Sequence, residues 1–285
     1  MAIWFGVRGY GPAWPVASLV ALVGGLGFLD DLREISPLIR FPVQAVAMTA
    51  LVWVLGPLPP ISVVANLSIG GFVLSGFVIV AGLWWLNLFN FFDGIDGIAA
   101  SHAIIVLIAG TLLSWSGLNG DVAPIIWLAW ATAATTGGFL LQNWPPARIF
   151  MGVVGSNALA VVIFTLALAS IASGLVSYAA WITLVSASVS DTTVTLLRRI
   201  ARRQKPWQAH RSHAYQQMSR LKGHRSTTIL YSLLTLLWAV PMAAVAQKWP
   251  DIGWSIALTT YLPLLVFSLW LGAGSQIERS KITLP

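Results

Sequence analysis

The stretch NLFNFFDGIDG, residues 87–97, places two Asn, two Asp and two Gly at the end of a long apolar segment. Asp93 and Asp96 are three residues apart and each precedes a Gly, so the two carboxylates can point the same way while the backbone turns tightly. A metal ion or a phosphate-bearing ligand suits this pattern better than packing does. The alternative interpretation is an ordinary polar turn between two membrane helices.

The composition is that of a polytopic membrane protein. The 285 residues are 57% hydrophobic and 9% charged, they include 15 Trp and 12 Phe, and the mean hydropathy is +0.81. The net charge of +7 favours basic loops at one membrane face over a nucleic-acid partner. Because the chain has no Cys, disulfides, thiolate metal sites and cysteine nucleophiles are excluded.

Nine apolar segments approach the roughly 20 residues that a membrane-spanning helix requires. We therefore expect an all-α fold, a polytopic helical bundle that forms one integral-membrane domain over residues 1–285. The predicted spans are 12–29, 41–56, 71–90, 98–116, 122–141, 153–174, 176–196, 227–246 and 252–272. The loops expected at the cytoplasmic face are those near residues 30–40, 90–97, 142–152 and 198–226.

The distribution of charge predicts the orientation. Fourteen of the 16 Lys and Arg lie in the tail or in the loops after the first, third, fifth and seventh predicted spans, which makes that face cytoplasmic and puts the N-terminus outside. Five Asp from three hydrophobic segments lie at the same face with two His, which predicts a shared site there. These residues are Asp30, Asp31, Asp93, Asp96, Asp191, His210 and His213.

Asp30 and Asp31 close the first predicted span, where the helix dipole disfavours anions. Two adjacent acids at that position need a cation or a proton to offset them. Mg²⁺ is a suitable partner, because it prefers carboxylates and keeps waters that phosphates can replace. The alternative is a solvated helix end.

The segment PPARIFMGVVGSNALA, residues 145–160, opens a helix with Gly152 and Ser156. Backbone N–H groups at a helix start can hold a phosphate, so these two residues are candidates for substrate binding. The alternative is that Gly and Ser only allow neighbouring membrane helices to approach closely.

The segment RRIARRQKPWQAHRSHAYQQMSRLKGHR, residues 198–225, contains nine Lys or Arg. His210, Arg211 and His213 offer hydrogen-bond donors suited to a diphosphate. A juxtamembrane basic segment can instead bind anionic lipid headgroups. Zinc binding by the two His is disfavoured because the neighbouring Arg repels the ion, and His102 and His224 are predicted to be structural.

Four motifs in this order, GFLDD (27–31), NLFNFFDGIDG (87–97), PPARIFMGVVGS (145–156) and HRSHAYQ (210–216), resemble one family. That family is the polyprenyl-phosphate N-acetylhexosamine-1-phosphate transferases, which belong to glycosyltransferase family 4. They are bacterial membrane enzymes that move a sugar-1-phosphate from a UDP-sugar to undecaprenyl phosphate. The resemblance covers roughly residues 20–225, and HRSHAYQ is more similar to the branch that initiates O-antigen than to the peptidoglycan branch.

The resemblance implies a set of site residues. Asp30, Asp31, Asp93 and Asp96 match the catalytic acids, and the first three of them match the residues near the metal. The matched substrate-binding residues are Asn87, Asn90, Gly152, Ser156, His210, Arg211 and His213. Asp191 matches another recurring acid near the His loop, without an assigned role.

The chain departs from the family pattern at two places. Val153 stands where the family motif has an Asp that the resemblance identifies as a Mg²⁺ ligand, so the metal would rely on Asp30, Asp31, Asp93 and water. The family also has an earlier span and a basic, Pro-containing cytoplasmic segment ending in paired Gly, and neither is present. Nine spans with an outside N-terminus fit a chain without that first helix.

The resemblance therefore predicts transfer of N-acetylhexosamine-1-phosphate to undecaprenyl phosphate, with release of UMP, at the cytoplasmic face of the bacterial inner membrane. Such a reaction begins the synthesis of an O-antigen-like surface polysaccharide or a cell-wall glycan. The implied cofactor is Mg²⁺, with Mn²⁺ as a substitute. The implied partners are the two substrates and the bilayer, with no nucleic acid, and a homodimer is compatible with the sequence.

Two alternatives remain from the sequence. In the first, Val153 and the missing first helix leave a family member with little or no activity that still binds the lipid phosphate. The second is a transporter, although transporters place ionisable residues near the bilayer midplane and most of the predicted spans have none there.

Overall fold

The computed structural model describes residues 13–64, 67–115, 123–205 and 210–275, and helices dominate it. Outside the described residues lie the predicted loop SGLNGD (116–121), residues 206–209 of the basic loop, residues 276–285 of the predicted basic tail, and residue 12, where the first predicted span begins. The helices are α1 (Ala13–Leu32), α2 (Pro37–Leu55), α3 (Gly71–Phe92), α4 (Ile98–Leu113), α5 (Ala123–Asn143), α6 (Gly152–Ala172), α7 (Tyr178–Leu184), α8 (Ser186–Ala201), α9 (Ala214–Leu233), α10 (Val240–Lys248) and α11 (Gly253–Trp270).

The all-α, polytopic architecture predicted from the sequence is confirmed. Among the described residues, six helices are long and apolar enough to cross a membrane, and α7 with α8, bent by 74° at Val185, would make a seventh. α4 is apolar but only 16 residues long. The predicted count of nine spans is therefore not confirmed. The six helices are Pro15–Leu32, Pro37–Leu55, Gly71–Phe92, Gly152–Ala172, Ala214–Lys248 and Pro250–Trp270.

A short β-hairpin lies between α2 and α3, in a segment that the sequence predicts to be a loop. Its strands are β1 (Ile61–Val64) and β2 (Leu67–Ile69), paired antiparallel with Ile61 opposite Ile69 and a register shift after Ser62. Two strands of four and three residues are too short to give the alternating pattern from which a strand is predicted.

α6 is the central helix of the first half of the chain, because it contacts each of α1 to α5. Its packing against α1 is especially close at Gly27, where a Cβ would stand 2.7 Å from the Val153 carbonyl oxygen. At Gly82 in α3, a Cβ would stand 2.8 Å from the Phe164 ring of α6 and 2.9 Å from the Met48 sulfur of α2. These contacts set where α1 and α3 end relative to the start of α6.

The second half of the chain is organised around α8, which packs against α3, α9 and α11. α9 begins at Ala214, has a non-helical residue at Gly223 (φ 78°, ψ 166°), and continues through π-helical turns at Leu234–Ala239 into α10. A turn at Pro250–Ile252 leads into α11. The start of α9 thereby lies next to α8, close to the chain segment that follows α3.

The close approach of α1 to α6 predicts that alanine substitution destabilises the protein at Gly27 but not at the neighbouring Gly25. Gly27→Ala forces the two helices apart and should destabilise the protein by about 1–3 kcal/mol, as overpacking in a core does. Gly25→Ala is the matched control, because its Cβ would meet nothing within 4 Å. Thermal unfolding in detergent, followed by Trp fluorescence, measures both. Equal melting temperatures for the two variants would contradict the packing described here.

Candidate active site

The Asp31 carboxylate joins the end of α1 to the beginning of α6. Its Oδ1 accepts a hydrogen bond from the Val153 N–H (2.9 Å) and its Oδ2 accepts one from the Val154 N–H (3.0 Å). These are amides of the first turn of α6, which have no partner within their own helix and carry the positive end of the helix dipole. The sequence predicted that a phosphate would bind at this helix start, and in the structure the Asp31 carboxylate occupies those amides.

Glycine at position 152 makes this contact possible. Gly152 has φ +66°, a left-handed conformation that favours glycine, and a Cβ there would stand 2.7 Å from Asp31 Oδ2. Gly27 lies one turn before Asp31 and brings the two backbones together. The motif containing Gly152 therefore serves first to seat Asp31.

The last turns of α3 carry the two Asn of the 87–97 stretch. Asn90 Nδ2 donates to Ser156 Oγ (2.9 Å), which fixes the end of α3 to the first turn of α6. Asn87 Nδ2 donates to Gln44 Oε1 (3.1 Å) and to the Leu83 carbonyl (2.8 Å), so it points toward α2. Of the four predicted residues here, Asn90 and Asp93 line the cavity described below. Ser156 supports it through Asn90, whereas Asn87 contacts α2 instead.

The turn from Asp93 to Gly97 is held by the loop between α5 and α6. Asp96 Oδ2 accepts a hydrogen bond from the Ala147 N–H (3.1 Å), and the Gly97 N–H donates to Asn143 Oδ1 (2.9 Å). Asn143 Nδ2 in turn donates to the Ile149 carbonyl (2.8 Å). Asp96 is therefore largely engaged in holding the loop that begins α6.

These contacts enclose a polar cavity of about 380 Å³ at one end of the helical bundle. Three acids face it, one from the end of α1 and two from the turn after α3, together with an exposed aromatic residue, one His and the Val153 side chain. The lining residues are Asp31, Asn90, Asp93, Gly94, Ile95, Asp96, Asn143, Phe150, Met151, Gly152, Val153 and His224.

Burial, and to a lesser extent the nearby negative charge of Asp31, together raise the pKa of Asp93 from 3.8 to about 8. Without a cation, Asp93 therefore carries a proton at neutral pH. A divalent cation between the two carboxylates would relieve their repulsion. The pair thus fits a metal site even though Asp93 is protonated in the absence of the ion.

The donor set fits Mg²⁺ better than a metal that needs a full protein cage. In the part of the chain that the structure describes, no group of three or more His, Cys, Asp or Glu is placed to hold a metal ion. Mg²⁺ is commonly bound by one or two carboxylates and completes its six positions with water and substrate phosphates. Asp31 and Asp93 would be those carboxylates, and Val153 contributes only an apolar wall.

Asp30 turns away from the cavity. Its Oδ2 accepts a hydrogen bond from Arg40 Nη1 at 2.8 Å, and its Oδ1 accepts one from the Ile35 N–H at 2.7 Å. The Asp30 side chain is 9% exposed and the Arg40 side chain 14%, so the ion pair is largely shielded. This geometry separates the two adjacent acids: Asp31 faces Asp93, and Asp30 fixes the turn between α1 and α2.

The predicted His loop lies beside the end of α3, and its residues are not among those that line the cavity. The His210 and His213 rings pack 4.9 Å apart, and their centroids are 6.1 and 6.2 Å from the Phe91 ring. Burial, followed by the charges of His213 and Arg199, lowers the pKa of His210 to about 3, so His210 is neutral at pH 7. Arg211 is exposed.

The structure adds one residue to the site, His224, which the sequence predicts to be structural. His224 lines the cavity, and its Nδ1 lies 3.2 Å from Asp96 Oδ1. The only local signal is the preceding Gly223, which breaks α9 and turns His224 toward Asp96. By contrast, His102 is buried between Thr235 Oγ1 (3.1 Å) and Ser188 Oγ (2.9 Å), as expected for a structural His.

The apolar helices and the acidic cavity at one end of the bundle define a multi-pass membrane protein with a polar site. Comparison with known proteins adds that residues 13–171 match the sequence profile of glycosyl transferase family 4. That match covers more than half of the chain. The protein therefore belongs to glycosyl transferase family 4, and the family resemblance found in the sequence is confirmed.

Three relatives illustrate the family. A probable undecaprenyl-phosphate N-acetylglucosaminyl 1-phosphate transferase of Bacillus subtilis is 28% identical over 90% of this chain and 72% of its own length. A phospho-N-acetylmuramoyl-pentapeptide-transferase of Mycobacterium leprae is 30% identical over 78% of this chain and 71% of its own. The Streptococcus thermophilus protein of the same name is 30% identical over 58% of this chain and 51% of its own length.

The raised pKa of Asp93 predicts that cation binding is linked to proton release. The ionised carboxylate binds the cation and the protonated form does not, so affinity should rise with pH, by up to about tenfold per pH unit below 8, and level off above it. Mn²⁺ titration followed by electron paramagnetic resonance from pH 6.5 to 8.5 measures this. Asp93→Asn should weaken binding and flatten its pH dependence, whereas Asp251→Asn, remote from the cavity, should change neither.

Proposed function

We propose that this protein transfers N-acetylhexosamine-1-phosphate from a UDP-sugar to undecaprenyl phosphate, releasing UMP, at the cytoplasmic face of a bacterial inner membrane. The observation that carries the proposal is the acidic cavity between the ends of α1 and α3 and the start of α6. The name of the Bacillus subtilis relative supports both an undecaprenyl phosphate acceptor and an N-acetylglucosamine-type donor. An O-antigen-like or cell-wall glycan would be the product's destination.

An apolar groove supports a lipid substrate. It has a volume of about 420 Å³ and lies between α3, α6, α7 and α8. Leu88 lines this groove and Asn90, two residues further along α3, lines the acidic cavity, so one helix carries both surfaces. A polyprenyl chain in the groove would leave its phosphate at the cavity. Residues that line the groove include Phe77, Trp84, Leu88, Phe164, Trp181 and Ile182.

Phe150 supports a nucleotide donor. It lines the cavity and is 76% exposed, which leaves its ring available for stacking against a nucleobase. The loop that carries Phe150 is held by Asn143 and Asp96, so the ring has a fixed place at the cavity rim. Arg211, exposed in the His loop, and neutral His210 provide further donors for a diphosphate.

The reaction needs positioning more than base catalysis. A lipid phosphate with a second pKa near 6 is mostly a dianion at pH 7 and can attack the β-phosphorus of the UDP-sugar directly. A new P–O bond forms as the bond from that phosphorus to the bridging oxygen breaks, and UMP leaves with the electron pair. A Mg²⁺ held by Asp31 and Asp93 would neutralise charge on the phosphates. The protein residues orient the two substrates.

A second candidate is a binding protein that holds the same lipid phosphate without turnover. One observation favours it: the Val153 side chain lines the cavity and cannot coordinate a cation. Among the described residues, the cavity then offers a cation only Asp31 and Asp93 as carboxylates without an ion pair to Arg or His. A single lost ligand or electrostatic contact can cost 10²-fold or more in rate.

UMP release in detergent, with Mg²⁺, undecaprenyl phosphate and a panel of UDP-N-acetylhexosamines, tests the proposal. We expect turnover by the unaltered chain that chelation abolishes and that Asp93→Asn lowers by about 10²-fold or more. Val153→Asp and its uncharged match Val153→Asn separate a gain in metal binding from a gain in polarity. Activity only in Val153→Asp would show a transferase fold with a disabled metal site and favour the second candidate, and no activity in any variant would refute the transferase.

The groove predicts a selective loss with long-chain acceptors. Ala81→Trp fills part of the groove and should raise the KM for undecaprenyl phosphate several-fold, while the KM for a short-chain polyprenyl phosphate changes little. Val46→Trp adds the same bulk on α2 at a position that is 65% exposed and outside the groove, so it is the control. An equal effect of Ala81→Trp on both acceptors would contradict the placement of the lipid chain.

A further inference from the structure

We propose that Asp191 and Tyr215 are positioning residues that hold the His210–His213 loop against the end of α3, beside Asp93. The inference rests on the proposed function for its catalytic consequence and on the contacts below for its geometry. Neither residue lines the acidic cavity, so each acts through the loop and through Phe91 rather than on substrate.

The Asp191 carboxylate fixes the first turn of α9. The side chain is fully buried, and it accepts hydrogen bonds from the Ala214 N–H (2.8 Å) and the Tyr215 N–H (2.8 Å). A third bond comes from the Tyr231 hydroxyl at 2.5 Å. A carboxylate from α8 thus caps the start of α9, where the helix dipole favours an anion. The His loop ends at His213, directly before these two amides.

The Tyr215 side chain extends this connection to α3. Its hydroxyl donates to the Phe91 carbonyl at 2.6 Å, at the point where α3 gives way to the Asp93 turn. Gly94 makes room for the hydroxyl, because a Cβ at position 94 would overlap it. Gly94, the glycine of the first Asp-Gly pair in the 87–97 stretch, therefore also serves to admit Tyr215.

The His210–His213 loop itself packs against Phe91 and Tyr215. The His213 ring is stacked on the Tyr215 ring (centroids 5.4 Å apart, 16° between planes) and is 1% exposed. Its Nδ1 lies 3.6 Å from Asp191 Oδ1. On the other side, the Gly274 N–H donates to the Ser212 carbonyl at 2.7 Å. The end of the loop is thus held on two sides, by Gly274 at Ser212 and by Asp191 with Tyr215 at His213.

A purely structural reading does not require this arrangement. Burying a carboxylate is costly, and an apolar residue of similar size usually serves packing as well. Asp191 accepts hydrogen bonds from the two amides next to His213, from Tyr231 and, at 3.4 Å, from Thr195 of its own helix. The Tyr215 hydroxyl donates to the carbonyl of Phe91, two residues before Asp93. The bonds from the α9 amides and from Tyr215 meet where the His loop contacts the acidic turn. A displacement of about 1 Å in groups that position a substrate can lower the reaction rate by about 10²-fold.

Coupling between Tyr215 and the loop is the first test. Tyr215→Phe keeps the ring and its stacking but loses the bond to Phe91, so we expect kcat to fall by about tenfold or more with little change in KM for the lipid. In a His213→Ala background the same substitution should have little further effect, because both changes remove the same placement. Trp238→Phe, which loses a comparable bond to the Thr260 carbonyl far from the site, is the control. Additive losses would overturn the proposal.

A spectroscopic test does not depend on turnover. The chain has no Cys, so Arg211→Cys gives a single nitroxide label on the exposed loop, and Arg148→Cys gives a second on the α5–α6 loop. We expect Asp191→Asn and Tyr215→Phe to broaden the 148–211 distance distribution, and Trp238→Phe to leave it narrow. An unchanged distance distribution in Asp191→Asn and Tyr215→Phe would overturn the proposal that these residues hold the His loop. If the distribution broadens in these two variants but the unaltered chain releases no UMP, the positioning role of Asp191 and Tyr215 is supported and the proposed transferase is refuted.

Discussion

The hydrogen bonds from the first amides of α6 to Asp31 are the contact on which the site depends. They tie the end of α1 to the start of α6, and Gly27 and Gly152 both lack the Cβ that would prevent that approach. The dipole of α6 offsets the charge of Asp31, which otherwise stands at the unfavourable end of its own helix. From that anchor, Ser156 in the next turn of α6 positions Asn90, and α3 delivers Asp93 to the same cavity.

The adjacent acids at the end of α1 show how one helix turn separates two roles. Asp30 is neutralised by Arg40, which closes the short connection into α2, whereas Asp31 is stabilised by the α6 amides and raises the pKa of Asp93. An ion pair thus stabilises the Asp30 carboxylate, and a helix dipole stabilises the neighbouring Asp31 carboxylate, which points away from it. For the metal, this geometry makes Asp31 with Asp93 the pair to test, and places Asp30 in the supporting structure.

Much of the fold follows from apolar segment length, since each predicted span has a helix in its place. The predicted span 176–196 bends at Val185, and residues 61–69 pair as a hairpin, because both features are set by neighbours in space. The grouping of Asp31, Asn90 and Asp93 was predictable from density of polar residues beside apolar spans. His224 beside Asp96 and Tyr215 beneath Gly94 were not, because these contacts join residues more than 100 positions apart, and Gly223 before His224 marks a break in α9 without identifying its partner.

The same device appears at both sides of the site. Asp31 caps α6 from α1, and Asp191 caps α9 from α8, so two helix starts that could have bound phosphate are occupied by the protein's own carboxylates. In the proposed reaction, the charge of the donor diphosphate must therefore be met by other groups. A cation at Asp31 and Asp93 can meet part of it, and the His210–His213 loop with Arg211 can meet the rest. The helix dipoles then act indirectly, by fixing the acids that place the cation and the loop.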